Sequence, residues 1–235
     1  MTEYVVLGFF RTLAIDAERQ LFAREFARVA AELGINIKVA RSHFSQSNGM
    51  MVGDQLQELA ISPAGKGKEI KPKRLKKSCN AFWDQVDKVP LELVDGAKEC
   101  LEQLQQMNVV AAVSTSMPSR MAKNRIAELG LGDSVGYVIG ADGGFPKGVG
   151  HIQALARHFR LDFDDFCQRA VLVGANAEDM LIAKNCREAV GNGHPFGIGV
   201  TGMAVASNWY LKNAGATHFI HSIGQLPEKI TEIGV

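Results

Sequence analysis

The stretch Tyr4–Leu13 reads YVVLGFFRTL. Its opening run, Tyr4–Phe10, is apolar or aromatic save for one glycine, and it lacks the in-out alternation of a strand with one wet face. A β-forming run that is apolar on both sides belongs in a parallel sheet with helices over each face. Five more such runs follow: Val109–Val113, Gly136–Ile139, Ala170–Val173, Gly197–Val200 and His218–Ile220. Amphipathic stretches alternate with them, at Gly96–Met107, Ser119–Leu129, Gly148–Phe159, Ala177–Glu188, Val205–Asn213 and Ile223–Ile230. Strand alternating with helix predicts an α/β fold built on a doubly wound parallel sheet. Ser119 and Asn176 stand where helix N-termini need caps, and Gly130 and Gly215 where helices end.

The alternation fails once, directly after the first strand. From residue 14 to about 90 only helical patterns appear, with no strand run. Ala17–Leu33 repeats Phe22, Phe26, Val29, Ala30 and Leu33 at helical spacing before Gly34, and shorter patterns follow at 38–46, 51–60 and 78–87. About 75 residues is far longer than an ordinary strand-to-helix connection. The expected organisation is therefore a core domain of residues 1–13 and 91–235, with residues 14–90 as an inserted helical domain. An insert at that point is expected to roof the carboxyl edge of the sheet, where ligands bind in this architecture.

Composition narrows the function classes. The chain has 235 residues, 46% of them hydrophobic, and 26 Lys and Arg against 25 Asp and Glu give a net charge of +1. No global field draws it to nucleic acid or membrane, so such an attraction has to be local. The one local excess is AGKGKEIKPKRLKK, where Lys66, Lys68, Lys71, Lys73, Arg74, Lys76 and Lys77 face a single Glu69. Its Pro and Gly predict a loop running into a helix start. Phe82 and Trp83 behind it sit in a helical pattern and are expected to pack inside the insert. The four cysteines, Cys79, Cys100, Cys167 and Cys186, have neither CxxC spacing nor a companion His at ligand spacing, which predicts reduced buried thiols. MTEYVVLGFF lacks a basic leader segment, and no apolar run approaches the ~20 residues of a membrane span. A cytoplasmic protein is expected. The six histidines are scattered, with no pair at ligand spacing on one helix, and no GxSxG, HExxH or phosphate-loop motif is present.

Chemistry on such a sheet gathers at the strand ends. After strand one comes Gly8-Phe9-Phe10-Arg11-Thr12-Leu13, and strand two runs into Ser114-Thr115-Ser116-Met117-Pro118. Beyond strand three lies Gly144-Phe145-Pro146-Lys147-Gly148, and strand four ends in Gly174-Ala175-Asn176-Ala177-Glu178-Asp179. In this order and spacing the four segments resemble the motifs of the haloacid dehalogenase superfamily, in the subgroup of phosphoglycolate phosphatase and β-phosphoglucomutase. There the first motif reads roughly DxDGTL and the second is a strand-ending Ser or Thr. The third is a Lys shortly before a helix, and the fourth is GDxxxD. The resemblance runs from residue 4 to about 230. It takes in a helical cap after the first motif and a tail of FGIGVTG (Phe196–Gly202), NAGATHF (Asn213–Phe219) and Ile223–Ile230.

Carried over position by position, the resemblance is incomplete. Thr12, Leu13, Ser114, Lys147, Gly174 and Asp179 match. The family's nucleophilic aspartate falls on Gly8, its acid/base aspartate on Phe10, the glycine of that motif on Arg11, and a metal-binding aspartate on Ala175. Glycine has no atom with which to attack phosphorus, and phenylalanine has no proton to give a leaving oxygen. Magnesium needs a near-octahedral set of oxygens, and of the usual acids only Asp179 is left. Asp16 lies a helical turn beyond the motif and Glu178 is expected to point away from Asp179, so neither replaces the lost groups.

What the resemblance leaves is the phosphate-holding half. Arg11, Thr12, Ser114, Thr115 and Lys147, with amides at the helix start, are the expected ligand-binding groups. Asp179 is a residual metal position, and no residue is assigned as catalytic. No cofactor is expected, magnesium entering only if the protein is an enzyme. The expected function is a non-catalytic relative that binds a small anionic or phosphorylated ligand, or a protein partner at the cap, in a regulatory role. One alternative is a hydrolase or phosphatase with non-standard catalytic groups. Another is an adaptor meeting nucleic acid or an acidic partner through Lys66–Lys77, with nucleic acid the less favoured of its partners and membrane excluded.

Overall fold

The structure, a computed structural model, describes residues 2–17, 20–46, 50–65, 67–142, 145–202 and 208–234. Contacts divide the chain into two units, Met1–Ile15 with Glu92–Val235, and Asp16–Leu91. Among the described residues no helix is long and apolar enough to cross a membrane.

The larger unit is built on a six-stranded parallel sheet. In chain order, and setting aside two short strands given below, the sheet takes β1 (Tyr4–Gly8), β4 (Val110–Ser114), β5 (Tyr137–Ile139), β6 (Ala170–Gly174), β7 (Phe196–Val200) and β8 (His218–Ile220). Their spatial order is β5-β4-β1-β6-β7-β8. The chain thus winds outward from β1 to one side, then returns to start again at β6 on the other. A crevice opens at such a reversal, between the carboxyl ends of β1 and β6. Register puts the strand ends level: Gly8 pairs with Ser114, and Leu7 with Val173.

The absence of alternation in β1 and β6 follows from burial on both faces. Val5, Val6, Leu7, Val171, Leu172 and Val173 are each at most 3% exposed. One face is covered by α7 (Val149–His158), α8 (Phe163–Arg169) and α9 (Ala177–Val190), which contribute Ile152, Leu155, Phe166, Cys167 and Cys186 to a single cluster with Val6 and Leu172. Each such side chain contributes about 1.5–3 kcal/mol of transfer free energy. All four cysteines are free thiols, with only Cys79 partly exposed.

The smaller unit holds α1 (Leu21–Glu32), α2 (Ile37–Gln46), α3 (Val52–Ile61) and α4 (Pro72–Val86). Its centre is aromatic, with Phe26 4.9 Å from Phe44 and 6.3 Å from Phe82, and Phe82 4.9 Å from Trp83. Pro72 starts α4 at a position where its missing N–H costs nothing and its fixed φ suits a helix. Lys73, Arg74, Lys76 and Lys77 therefore lie on a helix, and Arg74 Nη2 donates to the Glu32 carbonyl at the end of α1 (2.7 Å). Lys66 lies outside the described residues.

Several local expectations are corrected. Ala14–Asp16 (β2) is a strand, forming a separate two-stranded sheet with Leu91–Leu93 (β3); three residues are too few to show a period. The helix expected from Ala17 begins at Leu21, where the Asp16 carboxylate accepts from the Leu21 N–H at 3.4 Å. Helix α8 is additional to the expected set, its seven residues being too short to repeat. Ser119 is not a cap but the first residue of α6 (Ser119–Glu128), and its hydroxyl accepts from the Gly140 N–H (2.9 Å). The last core helices are α10 (Asn208–Ala214) and α11 (Leu226–Glu232), and Val205–Ser207 of the expected pattern lie outside the described residues. One further helix, α5 (Ala97–Gln106), completes the set.

Candidate functional site

The site is assembled at the reversal point, entirely from the larger unit. Gly8 ends β1, Gly174 ends β6, and Asn176 precedes α9, whose first turn carries Glu178 and Asp179. Lys147 lies just before α7. Its ammonium and the Asp179 carboxylate form a buried ion pair, each side chain 5% exposed. Glu178 Oε2 is 3.9 Å from the same ammonium, so Glu178 does not point away as expected. Lys147 sits where both adjacent helix positions reach it. Burial pushes the Lys147 ammonium down, but the charges of Asp179 and Glu178 outweigh it and hold the group above its ordinary value.

Asp179 lies directly over the two glycines. A Cβ on Gly8 would stand 2.8 Å from Asp179 Oδ2, and a Cβ on Gly174 2.2 Å from the same oxygen. The carboxylate thus fills the space into which a side chain at position 8 would project. Lys147 binds its Oδ1, while its Oδ2 is buried without a hydrogen-bond partner. Beneath the pair, with Gly8 and Ser114 in its lining, is a cavity of about 10 Å³. That is the room needed by about one water.

The expected ligand-binding groups are all engaged internally. Thr12 is fully buried, and its Oγ1 accepts from the Ala175 N–H (3.1 Å). Thr115 Oγ1 accepts from the Met117 N–H (3.2 Å), and the Ser119 N–H donates to Asp142 Oδ1 (2.9 Å). Two of the amides offered to an anion at the start of α6 are therefore already satisfied. Ser114 Oγ lies 3.0 Å from His151 Nδ1. The Arg11 guanidinium stands 5.8 Å from the Phe10 ring centroid. Arg11 also takes φ 66°, a left-handed conformation that glycine adopts without strain and arginine does not. Gly144 lies outside the described residues.

Asp179 does not offer a magnesium site. Its nearest charged neighbour is an ammonium, Ala175 and Gly8 bring no side-chain oxygen, and among the described residues no group of three His, Cys, Asp or Glu could hold a metal. A divalent ion at the unpartnered Asp179 Oδ2 would sit beside the Lys147 ammonium and find a single well-placed carboxylate, plus Glu178 at the rim.

Two participants go beyond the sequence expectations. Asn176 stands before α9 as expected, but its Nδ2 donates to the Phe10 carbonyl (3.3 Å) and not to the helix. His151 is fully buried on the Ile152–Leu155 side of α7 and stacks on Phe145 at 5.3 Å. Its place four residues after Lys147, on the apolar face of a helical pattern, is the one signal the sequence holds for it. Burial and then the charge of Lys147 push the His151 imidazole down to about 4 from 6.5. The unfolded chain therefore takes up a proton between pH 6.5 and 4 that the folded chain refuses. Stability present above pH 6.5 is lost as pH falls toward 4, by about 3 kcal/mol at the limit. Urea titrations at pH 7.5 and 4.5 should show a smaller pH loss in His151→Gln than in the parent; equal losses would remove His151 as the cause.

Comparison with known proteins decides the family. A model of the haloacid dehalogenase-like hydrolases matches residues 13–188. The chain belongs to that family. Its fold is shared with a predicted phosphatase from Clostridium acetobutylicum (19% identity, 99% of each chain covered, TM-score 0.79). It is shared too with a predicted phosphoglycolate phosphatase from Haemophilus somnus (14% identity, 98% of each chain, TM-score 0.72). A third likeness is to a β-phosphoglucomutase from Clostridium difficile (15% identity, 99% of this chain and 96% of that one, TM-score 0.73). A comparison with curated protein sequences finds no match. As a haloacid dehalogenase-like chain, it keeps the lysine and the last acid of the motif pattern and pairs them with each other.

Proposed function

We propose that the protein is a non-catalytic member of its family, acting by binding a small anionic or phosphorylated molecule at the carboxyl end of β1. The observation that carries this reading is the content of the space above Gly8. A carboxylate stands there, but it belongs to Asp179 and is neutralised by Lys147, and Phe10 itself cannot protonate a leaving group. Aspartyl-phosphate chemistry needs a free attacking carboxylate, an acid and a counter-charge acting together, and losing one member of such a unit removes most of its rate. Arg11 and Lys147 supply fixed positive charge for an anion without a metal. Lys147 becomes available to it only in exchange for its present partner.

The test is a rate measurement over a panel of phosphate monoesters with magnesium. No turnover above the buffer rate is expected. Hydrolysis that is abolished by chelator would overturn the reading and favour an enzyme with substitute groups. In the same preparation, phosphate should raise the melting temperature modestly, equally with and without chelator, and less at high salt. A phosphate effect that requires magnesium would also count against it.

A further inference from the structure

We propose that the Asp179 carboxylate is a tethered occupant of the anion position at the end of β1, so that a small oxyanion enters only in exchange for it. This rests on the anion-binding reading above and names what regulates that site. Three features of the geometry lead to it. The carboxylate lies against two glycines, Gly8 and Gly174, and a Cβ on either would collide with it, so the fold leaves this place for a group arriving from α9. Lys147, an enclosed cation at the centre of the site, is spent on Asp179 Oδ1. The remaining oxygen, Oδ2, is buried without a partner, which is poor use of a carboxylate placed only for structure.

A tetrahedral oxyanion in that place would take the same ammonium and, with His151 Nδ1 as the donor in its bond to Ser114, add the Ser114 hydroxyl, which lines the cavity with Lys147. The present cavity of about 10 Å³ admits water and no such anion, so withdrawal of the Asp179 side chain has to make the room. An incoming group must then outcompete a carboxylate that is already in place and costs no translational entropy. Singly charged ions such as chloride or acetate match its charge and gain nothing. A dianionic phosphate carries twice the charge to Lys147. The ligand class is therefore a phosphate dianion, free or as a monoester, with discrimination against monocarboxylates.

Thermal denaturation and calorimetry with inorganic phosphate at pH 7.5, in the full-length chain, test the exchange. Asp179→Asn should bind phosphate at least ~10-fold more tightly than the parent, and acetate should not bind the parent. Adding Lys147→Met to Asp179→Asn should abolish the gain. If the single variant is unfolded in chloride, it should fold in phosphate at equal ionic strength; failure to fold in either overturns the proposal. Equal phosphate affinity in parent and variant overturns the tethered carboxylate while leaving the anion-binding reading intact. A folded variant that binds no phosphate, beside a parent that binds none, removes both.

Discussion

Lys147→Met lowers the stability of the protein by about 3–5 kcal/mol, the largest loss expected from any conservative change at the strand ends. Methionine nearly fills the volume of the lysine stem, so packing changes little. What goes is the ammonium that compensates a carboxylate only 5% exposed. One oxygen of Asp179 already lacks a partner, and the variant leaves the other without its partner too. Glu178, at 3.9 Å from the same ammonium, then adds repulsion where it had shared a counter-charge. The prediction separates this cause from loss of packing. Lys147→Met with Asp179→Leu removes both charges and should recover most of the loss, because a buried ion pair replaced by apolar groups is close to neutral in stability. Urea unfolding of the parent, the single and the double variant measures the difference. A single-variant loss below about 1 kcal/mol would mean that water reaches the pair and that it is not an enclosed interaction.

Gly8→Asp, the substitution that rewrites the first motif toward its family pattern, is expected to destabilise by about 4 kcal/mol or more and to restore no turnover. Its Cβ would arrive 2.8 Å from Asp179 Oδ2 and 3.1 Å from Oδ1 and Cγ, so the existing carboxylate has to move. The new one brings a third negative charge, after Asp179 and Glu178, to the Lys147 ammonium. Phe10 still cannot protonate a leaving oxygen, and Ala175 still offers no side-chain oxygen to a metal. Gly8→Ala, with the same Cβ and no charge, should cost less, about 1–3 kcal/mol, and the gap between the two isolates the electrostatic part. The measurement belongs in chelator, where no divalent cation bridges the two carboxylates. Phosphatase activity in Gly8→Asp alone would show that the missing acid and metal ligand are supplied elsewhere.

The sequence made the sheet legible because its strands are buried on both faces and say so in unbroken apolar runs. An ordinary crossover between two strands is far too short for the span from 14 to 90, which is why an insert is expected there, and contacts set Asp16–Leu91 apart as a unit. Shorter features left no period to read: β2 and β3, of three residues each, and α8, of seven. At the strand ends, candidate residues could be named one by one, but not what they do to each other. Lys147 and Asp179 stand apart in sequence as a phosphate donor and a residual metal ligand, and the fold joins them into one neutral pair. That outcome depends on a gap at Gly8 that exists only once β1 and β6 are side by side. Ser114 could be placed at a strand end, but its partner His151 comes 37 positions later, on a helix face that reads as ordinary core. Arg11 shows the opposite case: its departure from the family glycine is visible in sequence, and the structure supplies the meaning in a φ of 66°.

The bond from the Ala175 N–H to Thr12 Oγ1 and that from Asn176 Nδ2 to the Phe10 carbonyl join segments 163 and 166 residues apart in the chain. Neither bond can exist in a partly folded chain that has not yet brought its first strand beside its sixth, since closing so long a loop must precede any return from it. The Ala175 amide is therefore a clock set by the slowest event in folding. In hydrogen exchange it should become reactive only through openings that part these two strands, and its protection reports the cooperative stability of the whole sheet even though it belongs to a loop.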